Sequence, residues 1–166
     1  MFDTITRYLE GINNVLDRGA MRNIVTPMAD KFSSRNLNQA GLVISAGGAA
    51  TAKIGATDFY AVANGVIVKI AASTTLPALT GLNISAGAFN IFCFFVDQGG
   101  TVTVLMGTEG ATLGAIKWPQ FPQGKALIGE MIVTYASAFT GGTTALDTAT
   151  TVYLTSVGGM DPTILI

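Results

Sequence analysis

Two hydrophobic patterns divide the chain. Near its start, Ile5, Leu9, Ile12 and Leu16 recur at spacings of four, three and four residues. This spacing places the four side chains along one stripe of an α-helix. Gly19 follows, and glycine readily adopts the left-handed conformation that ends helices. The sequence therefore predicts an amphipathic N-terminal helix.

The segment that follows the helix has neither helical nor strand periodicity. Residues 26–38 contain Thr26-Pro27 and Ser33-Ser34-Arg35-Asn36, a composition typical of an extended arm or linker. We therefore predict that residues 1–40 form a helix and an anchoring arm, and that residues 41–166 form a separate domain.

From about Gly41 the pattern changes to short runs of β-branched and aromatic residues, separated by segments rich in Gly, Asn and Thr. Such alternation is typical of an all-β sandwich or barrel. The pattern predicts about eight strands, which cover residues 42–45, 58–63, 66–72, 82–86, 88–97, 101–106, 125–136 and 151–156.

Two connections carry hairpin signatures. Asn64-Gly65 joins two apolar runs and suits a type I′ turn, which needs positive φ at both central residues. Gln98-Gly99-Gly100 predicts a second hairpin. The segment 118–124 contains Pro119 and Pro122, which exclude it from a central strand, so we expect a loop whose aromatic rings pack on one end of the domain.

Composition points away from an ordinary soluble surface. Hydrophobic residues make up 49% of the chain and charged residues only 11%, against about 25% charged in typical domains. Low charge and strong β propensity expose a lone monomer to edge-to-edge aggregation, so we expect a homo-oligomer. The net charge of −1 makes nucleic acid an unexpected partner.

Neither export nor membrane insertion is expected. Asp3, Arg7 and Glu10 interrupt the N-terminal segment where a secretory signal needs an apolar stretch. The longest apolar segment, around residues 84–96, is too short to cross a bilayer as a helix. Synthesis in the cytoplasm, without a membrane partner, is the resulting expectation.

The side chains that usually carry chemistry are scarce. The chain has no histidine and one cysteine, so it lacks the commonest general base and the ligands of a zinc site. Cys93 lies in an apolar run and is expected to be a plain core residue. Carboxylates are scattered singly through the β region. We therefore expect a protein that is not an enzyme and has no metal and no cofactor.

The charged N-terminal segment is the candidate partner-binding region. Residues 1–36 hold nine of the nineteen charged side chains. Its apolar stripe either docks in a partner's groove or packs on its own domain, and its basic residues either pair with an acidic partner or remain solvated. The candidate binding residues are Ile5, Tyr8, Leu9, Ile12, Leu16, Arg18, Arg22, Lys31 and Arg35.

The last third of the chain resembles virion proteins of tailed bacteriophages. The strand-like run from Pro122-Gln123-Gly124-Lys125 to Val133 precedes Phe139-Thr140-Gly141-Gly142-Thr143-Thr144, which continues into Ala145-Leu146-Asp147 and a closing strand. Among such proteins, capsid decoration (cement) proteins are similar in size and layout. The resemblance implies a homotrimer of β-sandwich or jelly-roll domains on the capsid surface of the virion, with an N-terminal segment that grips the major capsid protein.

A different virion role remains the alternative. In a tail-fibre or receptor-binding tip module, aromatic loop residues such as Trp118, Phe121 and Tyr135 are expected to line a glycan or protein site.

Overall fold

The structure is a computed structural model that describes residues 34–155. This range contains nine β-strands and one turn of 3-10 helix, without an α-helix. The strands are β1 (Arg35–Asn36), β2 (Val43–Ile44), β3 (Ala52–Lys53), β4 (Phe59–Ala63), β5 (Val66–Ile70), β6 (Phe89–Val96), β7 (Val102–Met106), β8 (Ala126–Thr134) and β9 (Thr150–Leu154), and the 3-10 turn is Leu113–Ala115. The all-β prediction is confirmed. The predicted N-terminal helix lies outside the described residues.

The strands form three antiparallel sheets. One has the order β1-β4-β5, a small one pairs β2 with β3, and the largest has the order β7-β6-β8-β9. In the largest sheet, β6 and β8 are the central strands. Their register shifts between Phe94 and Phe95, a bulge-like irregularity within an otherwise regular antiparallel pair.

Both hairpins predicted from turn residues are present. Asn64 and Gly65 have φ values of 50° and 78°, as the β4–β5 turn requires. The β6–β7 turn has Gly100 at φ 82°. The Asp97 carboxylate accepts the N–H groups of Gly99 and Thr101, each at 2.9 Å, which fixes this second turn.

The principal core draws on both larger sheets. Strands β4 and β5 contribute Phe59 and Val68, while Phe92 and Phe94 of β6 and Met131 of β8 come from the other sheet. All five are buried. Burial of this apolar surface is the main stabilising contribution to the fold.

The four-stranded sheet also carries a smaller core on its opposite face. Ile91, Cys93 and Phe95 alternate with the residues of the principal core along β6, and Leu127 of β8 joins them. Two-sided burial explains the apolar run from Ile91 to Val96 in β6. The prediction that Cys93 is a core residue is confirmed, since its side chain is fully buried.

The sequence missed two short strands and misassigned one. Strands β1 and β3 were not predicted, and residues 82–86 form no strand, because only Ile84 makes an isolated bridge, with Phe139. The loop 118–124 was correctly excluded from the strands. Its Phe121 packs on the smaller core, which is a face of the large sheet and not an end of the domain.

Candidate interaction surface

The predicted arm residues fall mostly outside the range that can be described. Eight of them precede residue 34, where the described range begins. They are Ile5, Tyr8, Leu9, Ile12, Leu16, Arg18, Arg22 and Lys31. The ninth, Arg35, lies in β1 with an exposed side chain, in register with Val62 of β4. Arg35 therefore belongs to the same sheet as the strongest predicted hairpin.

The chain from residue 34 to residue 38 is fixed to β4 by hydrogen bonds. The Asn38 side-chain amide donates to the Asp58 carbonyl at 2.8 Å, and its oxygen accepts the Tyr60 N–H at 2.7 Å. The Leu37 N–H donates to the Tyr60 carbonyl at 2.9 Å, and the Ser34 hydroxyl accepts an N–H from the hairpin turn at 3.0 Å. A segment expected to be arm is thus an integral edge of the sheet.

The three-stranded sheet has one buried and one exposed face. Alternation along β4 turns Phe59 and Ala61 to the core and Tyr60 outward, as side chains in a strand must alternate. We call the exposed side the outer face; its residues are Arg35, Leu37, Tyr60, Val62, Ile67 and Lys69. Ile67 is 70% exposed, an unusual position for so large an apolar side chain.

The outer face carries little free charge. The Lys69 ammonium lies 2.6 Å from the Asp58 carboxylate and 5.9 Å from the centre of the Tyr60 ring. Asp58 also accepts the Ala72 N–H at 2.9 Å. The hydrogen bond between them raises the pKa of Lys69 and lowers that of Asp58. With Lys69 paired, Arg35 is the remaining cation on a face that is otherwise apolar and aromatic.

The aromatic residues of the alternative site are divided between the two cores. Phe121 packs edge-on against Phe95, with their ring centres 4.9 Å apart. The ring centres of Trp118 and Phe121 are 6.1 Å apart. Trp118 is 37% exposed. Tyr135 instead packs on the principal core. Trp118 and Phe121 therefore form a pair, while Tyr135 lies against different residues.

The Gly-Gly-Thr-Thr motif forms a tight turn packed against an earlier loop. The Gly141 N–H donates to the Asn83 side-chain oxygen at 3.1 Å, and the Thr140 N–H donates to the Thr144 hydroxyl at 3.0 Å. A Cβ at position 141 would collide with the backbone carbonyls of Leu79 and Leu82. The motif that carries the resemblance thus has a packing role in this chain.

Four carboxylates have separate structural partners. Asp58 and Asp97 have the contacts described above, Glu109 accepts both the N–H and the hydroxyl of Ser85, and Asp147 accepts the Gly48 N–H at 2.8 Å. Hydrogen bonds from Ser85 lower the pKa of Glu109. Across residues 34–155, no group of three His, Cys, Asp or Glu side chains is arranged to hold a metal ion.

Comparisons with protein-family models, curated proteins and solved structures give no match for this chain. In the part that the structure describes, no helix has the length and apolar character needed to span a membrane.

The sequence did not single out two features of the described region. The outer face depends on the register of three strands, although its alternation in residues 59–63 and 66–70 was readable. The other feature is Glu130, a carboxylate that is only 8% exposed within β8. Its sequence signal is a single acidic residue inside an apolar strand.

Proposed function

We propose that this protein is a non-catalytic structural protein of a phage virion, which binds the outside of the capsid as a homotrimeric decoration, or cement, protein. The observation that carries the proposal is the outer face, where the apolar and aromatic side chains of Leu37, Tyr60, Val62 and Ile67 lie beside two cations, one of them paired with Asp58. Exposed apolar patches of this kind typically mark protein interaction sites.

The β domain supplies contacts between copies in this proposal. Between residues 34 and 155 the chain has five basic and five acidic side chains, so copies approach without net repulsion. Within residues 34–155, β5 is an edge strand of its sheet, and its outer edge has no strand partner there. A closed trimer buries both features. The two larger sheets share one core, which supports a β-sandwich, and we extend this to a jelly-roll arrangement.

The N-terminal segment supplies the contact with the major capsid protein. Its nine candidate residues from Ile5 to Arg35 combine an apolar stripe with four basic side chains. Of these residues, Arg35 lies in the described region, where its side chain is exposed on the outer face. The protein is made in the host cytoplasm and ends on the capsid surface.

Deletion of residues 1–33 tests this division of roles. The deletion keeps Ser34 and Asn38, which fix the sheet edge to β4. We expect a folded oligomer with the trimer mass by light scattering, and loss of co-sedimentation with capsids. A matched control removes residues 156–166 and is expected to retain capsid binding. Full capsid binding by the chain that lacks residues 1–33 would contradict the assigned role of the arm.

A receptor-binding tip is the second candidate function, favoured by the exposed Trp118 ring beside Phe121. Aromatic faces commonly stack on sugar rings. Saturable binding on a glycan array that disappears in Trp118→Ala would favour this candidate. Tyr135→Phe is the matched control, because Tyr135 packs on the principal core and lies outside the aromatic pair.

A further inference from the structure

One carboxylate is enclosed in the face of the large sheet that carries the smaller core. Glu130 of β8 is in register with Cys93 of β6 on one side and Leu154 of β9 on the other. Its side chain is 8% exposed, and Oε2 is buried without a hydrogen-bond partner. An ionised carboxylate is strongly disfavoured in such surroundings, so the protonated form suits the site.

The strands around Glu130 provide no compensating positive charge. Cys93 on β6 is a thiol whose pKa is raised by burial, so it stays neutral. Leu154 on β9 is apolar, and the neighbouring Tyr153 packs on the principal core, away from this face. Lys125, at the start of β8, donates to a threonine hydroxyl on β7 at 3.2 Å.

The segment between β7 and β8 also leaves the carboxylate uncompensated. It contacts the smaller core through Ile116 and Phe121, which are apolar. Its charged residues are Glu109, which binds Ser85, and Lys117. Burial raises the pKa of Glu130 to about 7, and among residues 34–155 no cation is found to lower it.

Strand β9 separates this carboxylate from the edge of the large sheet. β6 and β8 pair centrally along their length, whereas β9 lies at the sheet edge and pairs only with β8. Val152 and Leu154 on the Glu130 side of β9 are 50% and 38% exposed. Lifting the Leu154 end of β9 hydrates Glu130, and it breaks the pairing of that end with β8 and withdraws Tyr153 from the principal core.

We propose that Glu130 is a proton-operated latch for β9. The neutral carboxyl keeps the end of β9 docked on β8, and loss of the proton releases that end because the carboxylate then gains water. The released end uncovers the free edge of β8. This inference does not depend on capsid binding or on trimer formation.

Hydrogen exchange of the full chain at about pH 5.5 and pH 8.5 tests the latch. With the pKa near 7 in the docked state and 4.5 in the open state, linkage predicts a rise of about 30-fold in the opening equilibrium between these pH values. After correction for intrinsic exchange rates, protection of the β9 amides is expected to fall by this factor. Amides of β4 and β5 exchange through global unfolding, so they are expected to stay better protected than those of β9 at both pH values.

Two neutral variants separate the proton from the packing. Glu130→Gln retains the side-chain shape and Glu130→Met retains the volume without polar atoms; in each, we expect β9 protection to become independent of pH. Glu109→Gln is the matched control and is expected to keep the 30-fold response. Three results would overturn the latch: equal β9 protection at both pH values in the wild type, a retained response in the neutral variants, or β9 amides as well protected as those of β4 and β5, which would show that β9 opens only with the whole domain.

Discussion

The two larger sheets of this protein differ in whether both of their faces are buried. The four-stranded sheet is covered on both sides, by the principal core and by the smaller core around Phe95 and Phe121. The three-stranded sheet is covered on one side only, and its outer face leaves Ile67 and Tyr60 in contact with solvent. The large sheet is therefore buried on both faces, whereas the small sheet leaves apolar surface exposed to solvent.

The ionisable side chains of the two sheets also differ in whether they are exposed or buried. On the outer face, Lys69 is exposed and satisfied by Asp58, so its charge has little influence on folding. In the large sheet, Glu130 is buried and its Oε2 is unsatisfied, so its protonation state matters. Lys69 is thus exposed and paired, whereas Glu130 is buried, and burial raises its pKa.

The largest effect on stability is expected from truncating a side chain of the principal core. Phe94→Ala removes a fully buried ring from the central strand β6. We expect a loss of about 3 to 5 kcal/mol in the free energy of unfolding, from the lost burial and the cavity left behind. Chemical denaturation monitored by circular dichroism measures it. An effect below about 1 kcal/mol would show that the large sheet is not the stabilising element.

The second-largest effect expected is a dependence of stability on pH that comes from Glu130 in the large sheet. Between pH 4.5 and 7, folded Glu130 keeps a proton that the unfolded chain releases, so the free energy of unfolding falls as pH rises. We expect a loss of about 3 kcal/mol across this window and a constant value above it. Denaturation of the wild type and Glu130→Gln at several pH values measures the difference.

The carboxylates of lowered pKa, Asp58 and Glu109, provide the internal contrast for this pH prediction. Their contribution is lost as pH falls towards and below their ordinary values, so it has the opposite sign and lies at the acidic end. An identical pH slope in the wild type and Glu130→Gln would remove Glu130 as its source.

Local sequence rules captured the features that are decided locally. The β4–β5 turn was predictable because Asn64 and Gly65 tolerate positive φ, and β6 was predictable from the apolar run Ile91 to Val96. Strands β1 and β3 have two residues each, so no periodicity marks them; β1 depends on the contacts of Asn38 with β4. The burial of Glu130 depends on strand register and on the covering loop, which a single strand's sequence does not encode.

A smaller effect is expected at the turn that holds the Gly-Gly-Thr-Thr motif. Gly141→Ala directs a methyl group against the carbonyls of Leu79 and Leu82. We expect a loss of about 1 to 3 kcal/mol, because backbone must shift to accommodate it. Gly47→Ala is the matched control, since a Cβ there meets nothing within 4 Å. Comparable melting temperatures for the two variants would show that the turn adapts freely.

The smallest effect on folding, and the sharpest on assembly, is expected at Ile67. Ile67→Ser alters a side chain that is 70% exposed, so the free energy of unfolding of a single domain should change by about 0.5 kcal/mol or less. If the outer face joins copies of the chain, the same substitution shifts the mass measured by light scattering towards the monomer, because the apolar contact is lost.

Val152→Ser is the matched control for this prediction, because Val152 is a half-exposed β-branched residue on the large sheet. It is expected to leave the oligomer intact. Dissociation by Val152→Ser together with an unchanged oligomer in Ile67→Ser would reverse the comparison, since it would assign self-association to the edge of the large sheet instead of the open face of the small one.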